Sequence, residues 1–145
     1  MRVTVLNGPN LNLLGTREPA IYGTTTLAQI EEMLRAEANR LGAVIRFLQS
    51  NHEGTLVDEI QALPATADGL ILNAAAYSHT SLAIRDALLA VRVPFVEVHL
   101  TDVAAREESR RRLLFADLAL EVITGKGPEG YRLGLVTLSR HLGGR

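Results

Sequence analysis

Short apolar runs alternate along the chain with longer segments in which apolar residues recur every three or four positions. The runs cover residues 2–7, 43–49, 69–73, 94–99 and 120–124, and their apolar character is typical of buried strands. The longer segments, residues 24–41, 53–63, 80–91 and 129–141, have the spacing of helices with one apolar face. A shorter helix is expected at residues 106–114. This order predicts repeated strand–helix units.

Local signals mark the ends of two of these helices. Thr24, Thr25 and Thr26 are candidate N-caps for the first helix, and Gly42 is the candidate residue that ends it. Pro64 should end the second helix at residue 63, because the residue before a proline is disfavoured in helical geometry.

Repeated strand–helix units predict a parallel sheet covered by helices on both faces. With five strands and right-handed crossovers, we expect the strand order 2-1-3-4-5, an α/β fold of the flavodoxin-like, three-layer type. The 145 residues fit a single domain, 1–145. Residues 8–23 form the longest stretch without a predicted element, and a loop of that length is a candidate lid.

Composition narrows the classes of function. An apolar fraction of 47% excludes a disordered chain, and a net charge of -1 with mixed signs gives no indication of a nucleic acid or membrane partner. The basic run Arg110, Arg111 and Arg112 lies beside Glu107 and Glu108, so at least two of its members are expected on a solvated helix face. The absence of cysteine excludes disulfides and thiolate catalysis. We recognise no signal peptide or membrane-spanning run and expect a cytoplasmic protein.

Polar side chains follow several of the predicted strands at the points where these strands end. In open parallel sheets, ligands bind beyond the carboxyl ends of the strands, so we expect these side chains to converge at one edge. They are Asn7 and Asn10 after the first strand, Asn73 and His79 after the third, and Glu97, His99, Thr101 and Asp102 on or after the fourth.

Glu97 and His99 are one residue apart in a predicted strand, so their side chains face the same side of the sheet. Three interpretations are open: metal ligands, for which the sequence offers no third partner, a structural pair, or a carboxylate that orients and charges a proton-donating imidazole. The position of the pair at a strand end favours the third.

Arg17 and Tyr22 lie together in the candidate lid. A loop tyrosine is more often a surface anchor than a catalyst, because a phenol is a poor base at neutral pH. A neighbouring arginine favours the phenolate, so an Arg–Tyr pair opposite a Glu–His pair is a candidate acid–base set.

The sequence contains a G-x-G-x-x-G pattern at Gly125, Gly127 and Gly130. Its context does not fit a dinucleotide fingerprint, because it belongs to the last strand–helix unit and the chain ends before an acidic residue could follow about twenty residues on. We interpret it as a tight turn. No Walker A pattern is present.

A non-enzymatic phosphate- or nucleotide-binding module is the alternative function, since this fold class supports many activities. A receiver domain is disfavoured, because the third strand ends in Asn73 where a phospho-acceptor aspartate would stand. Flavin binding is disfavoured by the absence of tryptophan.

Four segments, LNGPNLNLLGTREPAIYG, LILNAAAYSHTS, VEVHLTDVAAREESRR and GKGPEGY, resemble the type II 3-dehydroquinate dehydratases along essentially the whole chain. The resemblance implies an enzyme that converts 3-dehydroquinate to 3-dehydroshikimate by anti elimination of water through an enolate, in the shikimate or quinate pathway. It also implies no metal or cofactor, and trimers stacked into dodecamers.

The resemblance assigns acid–base roles to five residues. Tyr22 matches the base that takes the proton beside the ketone, and Arg17 matches the lid arginine that favours its phenolate. His99 matches the acid that protonates the departing hydroxyl, and Glu97 matches the partner of that acid. Asn10 matches a residue near the same hydroxyl.

The resemblance also assigns substrate contacts. Asn73 matches the amide that, with a water, stabilises the enolate oxygen, and Leu100 and Thr101 match positions whose backbone amides hold the carboxylate. His79 and Arg110 match ligands of the ring hydroxyls. Asp86 matches a residue that reaches a neighbouring subunit's site, and Arg106 matches another lid-region arginine.

Two further features bear on these expectations. Residues 109–120 depart from the family pattern, as do Asp102 and Ala104, where asparagine and histidine are common. The alternative route to the same product uses a lysine Schiff base, and the only lysine is Lys126, in the turn after the last strand.

Overall fold

A computed structural model of the protein describes residues 1–16 and 18–143. Five parallel strands form one sheet in the order β2-β1-β3-β4-β5. The strands are β1 (Arg2–Asn7), β2 (Val44–Gln49), β3 (Gly69–Asn73), β4 (Phe95–His99) and β5 (Glu121–Thr124). The helices are α1 (Pro19–Tyr22), α2 (Leu27–Leu41), α3 (Glu53–Thr66), α4 (Leu82–Val91) and α5 (Glu129–Gly143). The predicted strand order and fold class are confirmed.

Each face of the sheet carries its own apolar layer. Successive side chains of a strand point to opposite faces, so in β3 Ile71 packs on the side of α2 and α5, whereas Leu70 and Leu72 pack on the side of α3 and α4. All three side chains are fully buried. Burial on both faces explains why the strands read as continuous apolar runs rather than as alternating ones.

The helix caps confirm some predicted ends and shift others. Thr26 forms a capping box with Gln29, so α2 begins at Leu27, and Gly42 ends it in the left-handed conformation with φ of 71°. The Ser81 hydroxyl accepts from the backbone N–H of Ile84 at 2.9 Å, and α4 begins at Leu82, two residues later than predicted.

Two predictions about helices are wrong. α3 continues through Pro64 to Thr66, since a proline in the last turn removes only one backbone donor and the N–H of Ala67 still bonds to Leu63 at 2.9 Å. Residues 106–114 form no continuous helix; they contain the 3-10 turn Glu108–Arg110, and the turns Val103–Ala105 and Ala116–Leu118 flank them. The reason is that its backbone bonds to neighbouring elements: the Leu114 N–H donates to Ser78 at 2.9 Å.

Residues 8–16 and 18–23 contain more regular structure than expected from the sequence. They contain the 3-10 turn Leu11–Leu13 and the short helix α1, and the side chains of Leu11 and Leu14 join the core on the side of α2. Leu11 and Leu14 therefore anchor the first part of this stretch to the core, and Tyr22 is the last residue of α1. In the part of the chain that the structure describes, no helix has the length and apolar character needed to span a membrane.

Candidate active site

The carboxyl ends of β1, β3 and β4 open into one pocket, as the sequence predicts. Nine of the residues singled out from the sequence line it: Asn10, Tyr22, Asn73, His79, His99, Leu100, Thr101, Arg106 and Arg110. Five further lining residues, Pro9, Leu11, Ala75, Ala76 and Val103, were not predicted. Their side chains carry no distinctive chemistry, and the only sequence signal for them is that they lie close to the ends of the predicted strands.

Glu97 and His99 form the predicted pair at the end of β4. The Nε2 atom of His99 lies 3.0 Å from Oε2 of Glu97, and the glutamate is fully buried behind the histidine. The second oxygen, Oε1, is buried without a hydrogen-bond partner among the residues that the structure describes. With Nε2 engaged by the carboxylate, Nδ1 is the ring nitrogen left for a ligand, and this geometry fits an oriented imidazole.

His79 presents an acceptor to the pocket. Its Nδ1 lies 2.9 Å from the backbone oxygen of Arg112, and because a carbonyl can only accept, Nδ1 must carry the proton. In the neutral ring, Nε2 is then the acceptor. Burial lowers the pKa of His79, which favours this neutral form. The ring stacks on His99 with centroids 6.2 Å apart.

The amide of Asn73 is held from behind on both of its polar atoms. Its Oδ1 accepts from the backbone N–H of Ala75 at 3.1 Å, and its Nδ2 donates to the hydroxyl of Tyr131 at 2.8 Å. Tyr131 is completely buried and belongs to α5. Sequence reasoning did not predict this contact, because it joins residues 58 positions apart.

Tyr22 meets a cation at the mouth of the pocket. Both terminal nitrogens of Arg106 lie 3.4 Å from the Tyr22 hydroxyl, and its guanidinium carbon lies 5.5 Å from the ring centroid. Arg106 also reaches Oγ1 of Thr101 at 3.3 Å. The hydrogen bond to Tyr22 raises the pKa of Arg106, so this side chain remains cationic. Arg17, the cation expected beside Tyr22, lies outside the described residues.

Some candidate residues sit at the margin of the pocket or away from it. Arg110 lines the pocket while pairing with Glu107. The expectation that most of the basic run is solvated agrees with the exposed Arg111 and Arg112. Asp86 is exposed on α4 and does not line this pocket.

The region around β5 accounts for the glycine pattern. Gly125 and Gly127 have φ of 72° and 57°, so they form the tight turn that the sequence indicates. Lys126 between them is exposed and lines a different groove, beside β5 and α5. Within residues 1–16 and 18–143, no group of three or more histidine, aspartate or glutamate side chains is arranged to hold a metal ion.

The fold and the pocket define a flavodoxin-like α/β domain with a candidate acid–base site at the carboxyl edge of its sheet. The family model for class II dehydroquinases matches residues 1–139. The chain is 56% identical to the 3-dehydroquinate dehydratase of Bordetella pertussis, over 97% of this chain and 98% of that protein. It is 53% identical to catabolic 3-dehydroquinase 1 of Aspergillus terreus, over 92% of this chain and 88% of that protein.

Solved structures agree with the sequence comparisons. The type II dehydroquinase of Butyrivibrio crossotus superposes with a TM-score of 0.93 at 38% identity, covering 95% of this chain and 97% of that one. The chain belongs to the class II dehydroquinase family.

Proposed function

We propose that the protein catalyses the dehydration of 3-dehydroquinate to 3-dehydroshikimate by anti elimination through an enolate. The observation that carries the proposal is that Tyr22 and the Glu97-oriented His99 line one pocket together with the anchored amide of Asn73. A base, an acid and an amide donor are the groups that such an elimination requires.

In the first step, the phenolate of Tyr22 removes the proton from the carbon beside the ketone, and the electron pair moves onto the ketone oxygen. The guanidinium of Arg106 favours the phenolate, because a positive charge at 3.4 Å stabilises the anion. Arg17 is proposed to act in the same way when the loop closes over the substrate.

In the second step, the enolate collapses, the carbon–oxygen bond breaks, and His99 protonates the departing hydroxyl so that one water molecule is released. Glu97 holds the ring through the 3.0 Å contact between Oε2 and Nε2, and this contact leaves Nδ1 for the departing hydroxyl. Asn10 is proposed to contact the same hydroxyl.

The remaining groups bind the substrate. The second N–H of Asn73, with a water, stabilises the enolate oxygen, and the backbone amides of Leu100 and Thr101 bind the carboxylate. Nε2 of His79 and the guanidinium of Arg110 bind ring hydroxyls. These contacts explain why polar atoms from different strand ends and loops face a single pocket.

We further propose that the reaction needs no metal or cofactor, that it serves the shikimate pathway in aromatic amino acid biosynthesis, and that the enzyme is cytoplasmic. The chain is proposed to assemble as a dodecamer of trimers, in which the exposed Asp86 of one subunit completes the pocket of a neighbour. The exposed apolar residues Leu82 and Leu89 on the same helix support a protein partner for this face.

Replacing Tyr22 by phenylalanine tests the assignment of the base. Tyr22→Phe should lower kcat by about 10²–10⁴-fold, the contribution of a general base, while leaving product binding largely intact. The measurement is the appearance of the conjugated enone absorbance. Tyr77→Phe is the matched control, because it removes a hydroxyl that bonds to the backbone of Asn51 and does not line the pocket. Near-normal turnover in Tyr22→Phe would reject the assignment.

Two additions to the assay separate the proposed chemistry from its alternatives. The enzyme should keep its turnover in the presence of a metal chelator. It should also keep its turnover after treatment with borohydride in the presence of substrate. Loss in the chelator would favour a metal role for Glu97 and His99, and inactivation by borohydride would favour a Schiff base on Lys126.

A further inference from the structure

A tyrosine hydroxyl buried outside the pocket connects two asparagines at the ends of adjacent strands. The hydroxyl of Tyr131 lies 2.7 Å from Oδ1 of Asn7 and 2.8 Å from Nδ2 of Asn73. Asn7 and Asn73 are register partners on β1 and β3, and both are at most 2% exposed. Tyr131 lines no part of the pocket, whereas Asn73 does.

The direction of each hydrogen bond in this chain is fixed from one end. Nδ2 of Asn7 donates to the backbone oxygen of Leu48 on β2 at 3.0 Å, and because a carbonyl can only accept, the Asn7 amide has one permitted orientation. Its Oδ1 must therefore accept from the Tyr131 hydroxyl. The tyrosine oxygen is then the acceptor for Nδ2 of Asn73.

The other end of the chain requires the same orientation. Oδ1 of Asn73 faces the backbone N–H of Ala75, which can only donate. Burial raises the pKa of Tyr131, so the phenol keeps the proton that it donates to Asn7. The backbone oxygen of Leu48 on β2 and the backbone N–H of Ala75 after β3 thus fix the orientation of the Asn73 amide. The second N–H of this amide is left for a ligand.

The last glycine of the G-x-G-x-x-G pattern brings Tyr131 to this position. A Cβ on Gly130 would lie 3.2 Å from Val98, and one on Gly134 would lie 3.3 Å from Val96. Both distances are tighter than an ordinary packing contact, so glycine at these two positions lets α5 press closely onto β4. The last glycine of the pattern therefore serves helix packing, and the residue that follows it, Tyr131, contacts the ends of β1 and β3.

We propose that Tyr131 is a positioning residue of the dehydration: through its bonds to Asn7 and Asn73, it keeps an N–H of Asn73, rather than the amide oxygen, directed to the developing enolate. This inference rests on the proposed function. Without the hydroxyl, the Ala75 N–H alone holds the amide, so its second N–H is less firmly directed to the enolate and stabilises the developing charge less well.

Tyr131→Phe tests the proposal with little change of volume. It should lower kcat about 10- to 100-fold, less than the 10²–10³-fold loss typical of deleting an oxyanion donor, and leave KM within about twofold. Thr137→Val is the matched control, because it removes another α5 hydroxyl, one that bonds to Glu121 away from the pocket. A kcat of Tyr131→Phe equal to that of the control would overturn the proposal.

Asn7→Ala provides a second variant if Tyr131→Phe fails to fold. Removing the acceptor of the Tyr131 hydroxyl should lower kcat without changing KM, and the double variant should be no slower than Tyr131→Phe alone, since both changes break one network. A wild-type kcat in Asn7→Ala, or fully additive losses, would contradict the proposal.

An NMR measurement separates this inference from the proposed reaction. In the wild-type protein, one side-chain N–H of Asn73, assigned by its loss in Asn73→Ala, should be protected from hydrogen exchange, and Tyr131→Phe but not Thr137→Val should remove that protection. If the wild-type protein fails to consume dehydroquinate, the proposed function fails, and this signal still decides the orientation of the amide. Unchanged protection in Tyr131→Phe would overturn the positioning role.

Discussion

Residues at the ends of β3 and β4 are buried and bonded from behind, whereas the pocket residues from the loops are more exposed and meet at longer distances. Asn73, Glu97 and His99 are at most 5% exposed, and their polar contacts lie between 2.8 and 3.1 Å. Tyr22 and Arg106 are half-buried and meet at 3.4 Å. We call these two groups the strand-end side and the loop side of the pocket.

The difference matches the two tasks of the pocket. Stabilising a developing negative charge requires dipoles that are already oriented, because reorienting them during the reaction would cost free energy. Admitting a substrate and then excluding water requires a segment that can move, and a short helix on an anchored loop can do so. The loop side carries the proposed base, so closure of the loop would activate that base in the same event.

After Tyr22→Phe, the largest expected effect comes from the strand-end side. Asn73→Ala removes the proposed donor to the enolate and should lower kcat about 10²–10³-fold with a small change in KM. Steady-state kinetics check this. A change confined to KM would mean that Asn73 binds substrate and transition state equally, and the rigidity of this side would then have no catalytic value.

Gly8→Ala should disturb the strand-end side through the backbone. A Cβ at this position would lie 2.3 Å from the backbone oxygen of Ala74, so β1 and the segment after β3 must move apart. We expect a loss of about 1–3 kcal/mol in the free energy of unfolding, the cost of overpacking. Denaturant unfolding measures it. Gly54→Ala, a helical glycine with no atom within 4 Å of the added Cβ, should be neutral or slightly stabilising.

Arg106→Gln tests the loop side. Loss of the cation removes the positive charge 3.4 Å from the Tyr22 hydroxyl, so kcat at neutral pH should fall about tenfold because that charge no longer stabilises the anion of the base. Arg112→Gln, an exposed arginine nearby, is the control. Equal kcat values in Arg106→Gln and Arg112→Gln would contradict an electrostatic role for Arg106.

The smallest effect concerns His79. Because burial lowers the pKa of His79 below its ordinary value of 6.5, KM should stay constant as the pH falls through 6.5 and rise only at lower pH, when Nε2 becomes protonated and can no longer accept. The rise should be about two- to tenfold, the value of one neutral hydrogen bond. His79→Gln should remove this pH dependence. A rise centred on pH 6.5 would contradict the burial effect.

The parts of the molecule that follow from periodicity were predictable from sequence. The alternation of strands and helices along the chain predicted the strand order, and the spacing of Glu97 and His99 predicted that both side chains lie on one face of the sheet. Contacts between distant segments were not predictable in this way. Arg106 and Tyr22 are 84 residues apart, and Tyr131 and Asn7 are 124 apart, so no local pattern links them.

The wrong helix at residues 106–114 has a related cause. Its composition suits a helix, but the backbone of this stretch bonds instead to Ser78, His79 and Arg85 of the preceding unit. The energy of these tertiary contacts outweighs the local preference. Family resemblance supplied residue roles that periodicity could not, and those roles remain proposals.

The outward face of α4 has a consequence for measurements at low protein concentration. Leu82 is 63% exposed and Leu89 is 45% exposed, and Asp86 lies between them in the sequence. If a neighbouring chain covers this face and the Asp86 carboxylate completes the pocket of that chain, then turnover per chain should decline on dilution while each separated chain keeps its fold. Catalytic competence would in that case belong to the assembly, and the single chain would be a folded but incomplete catalyst.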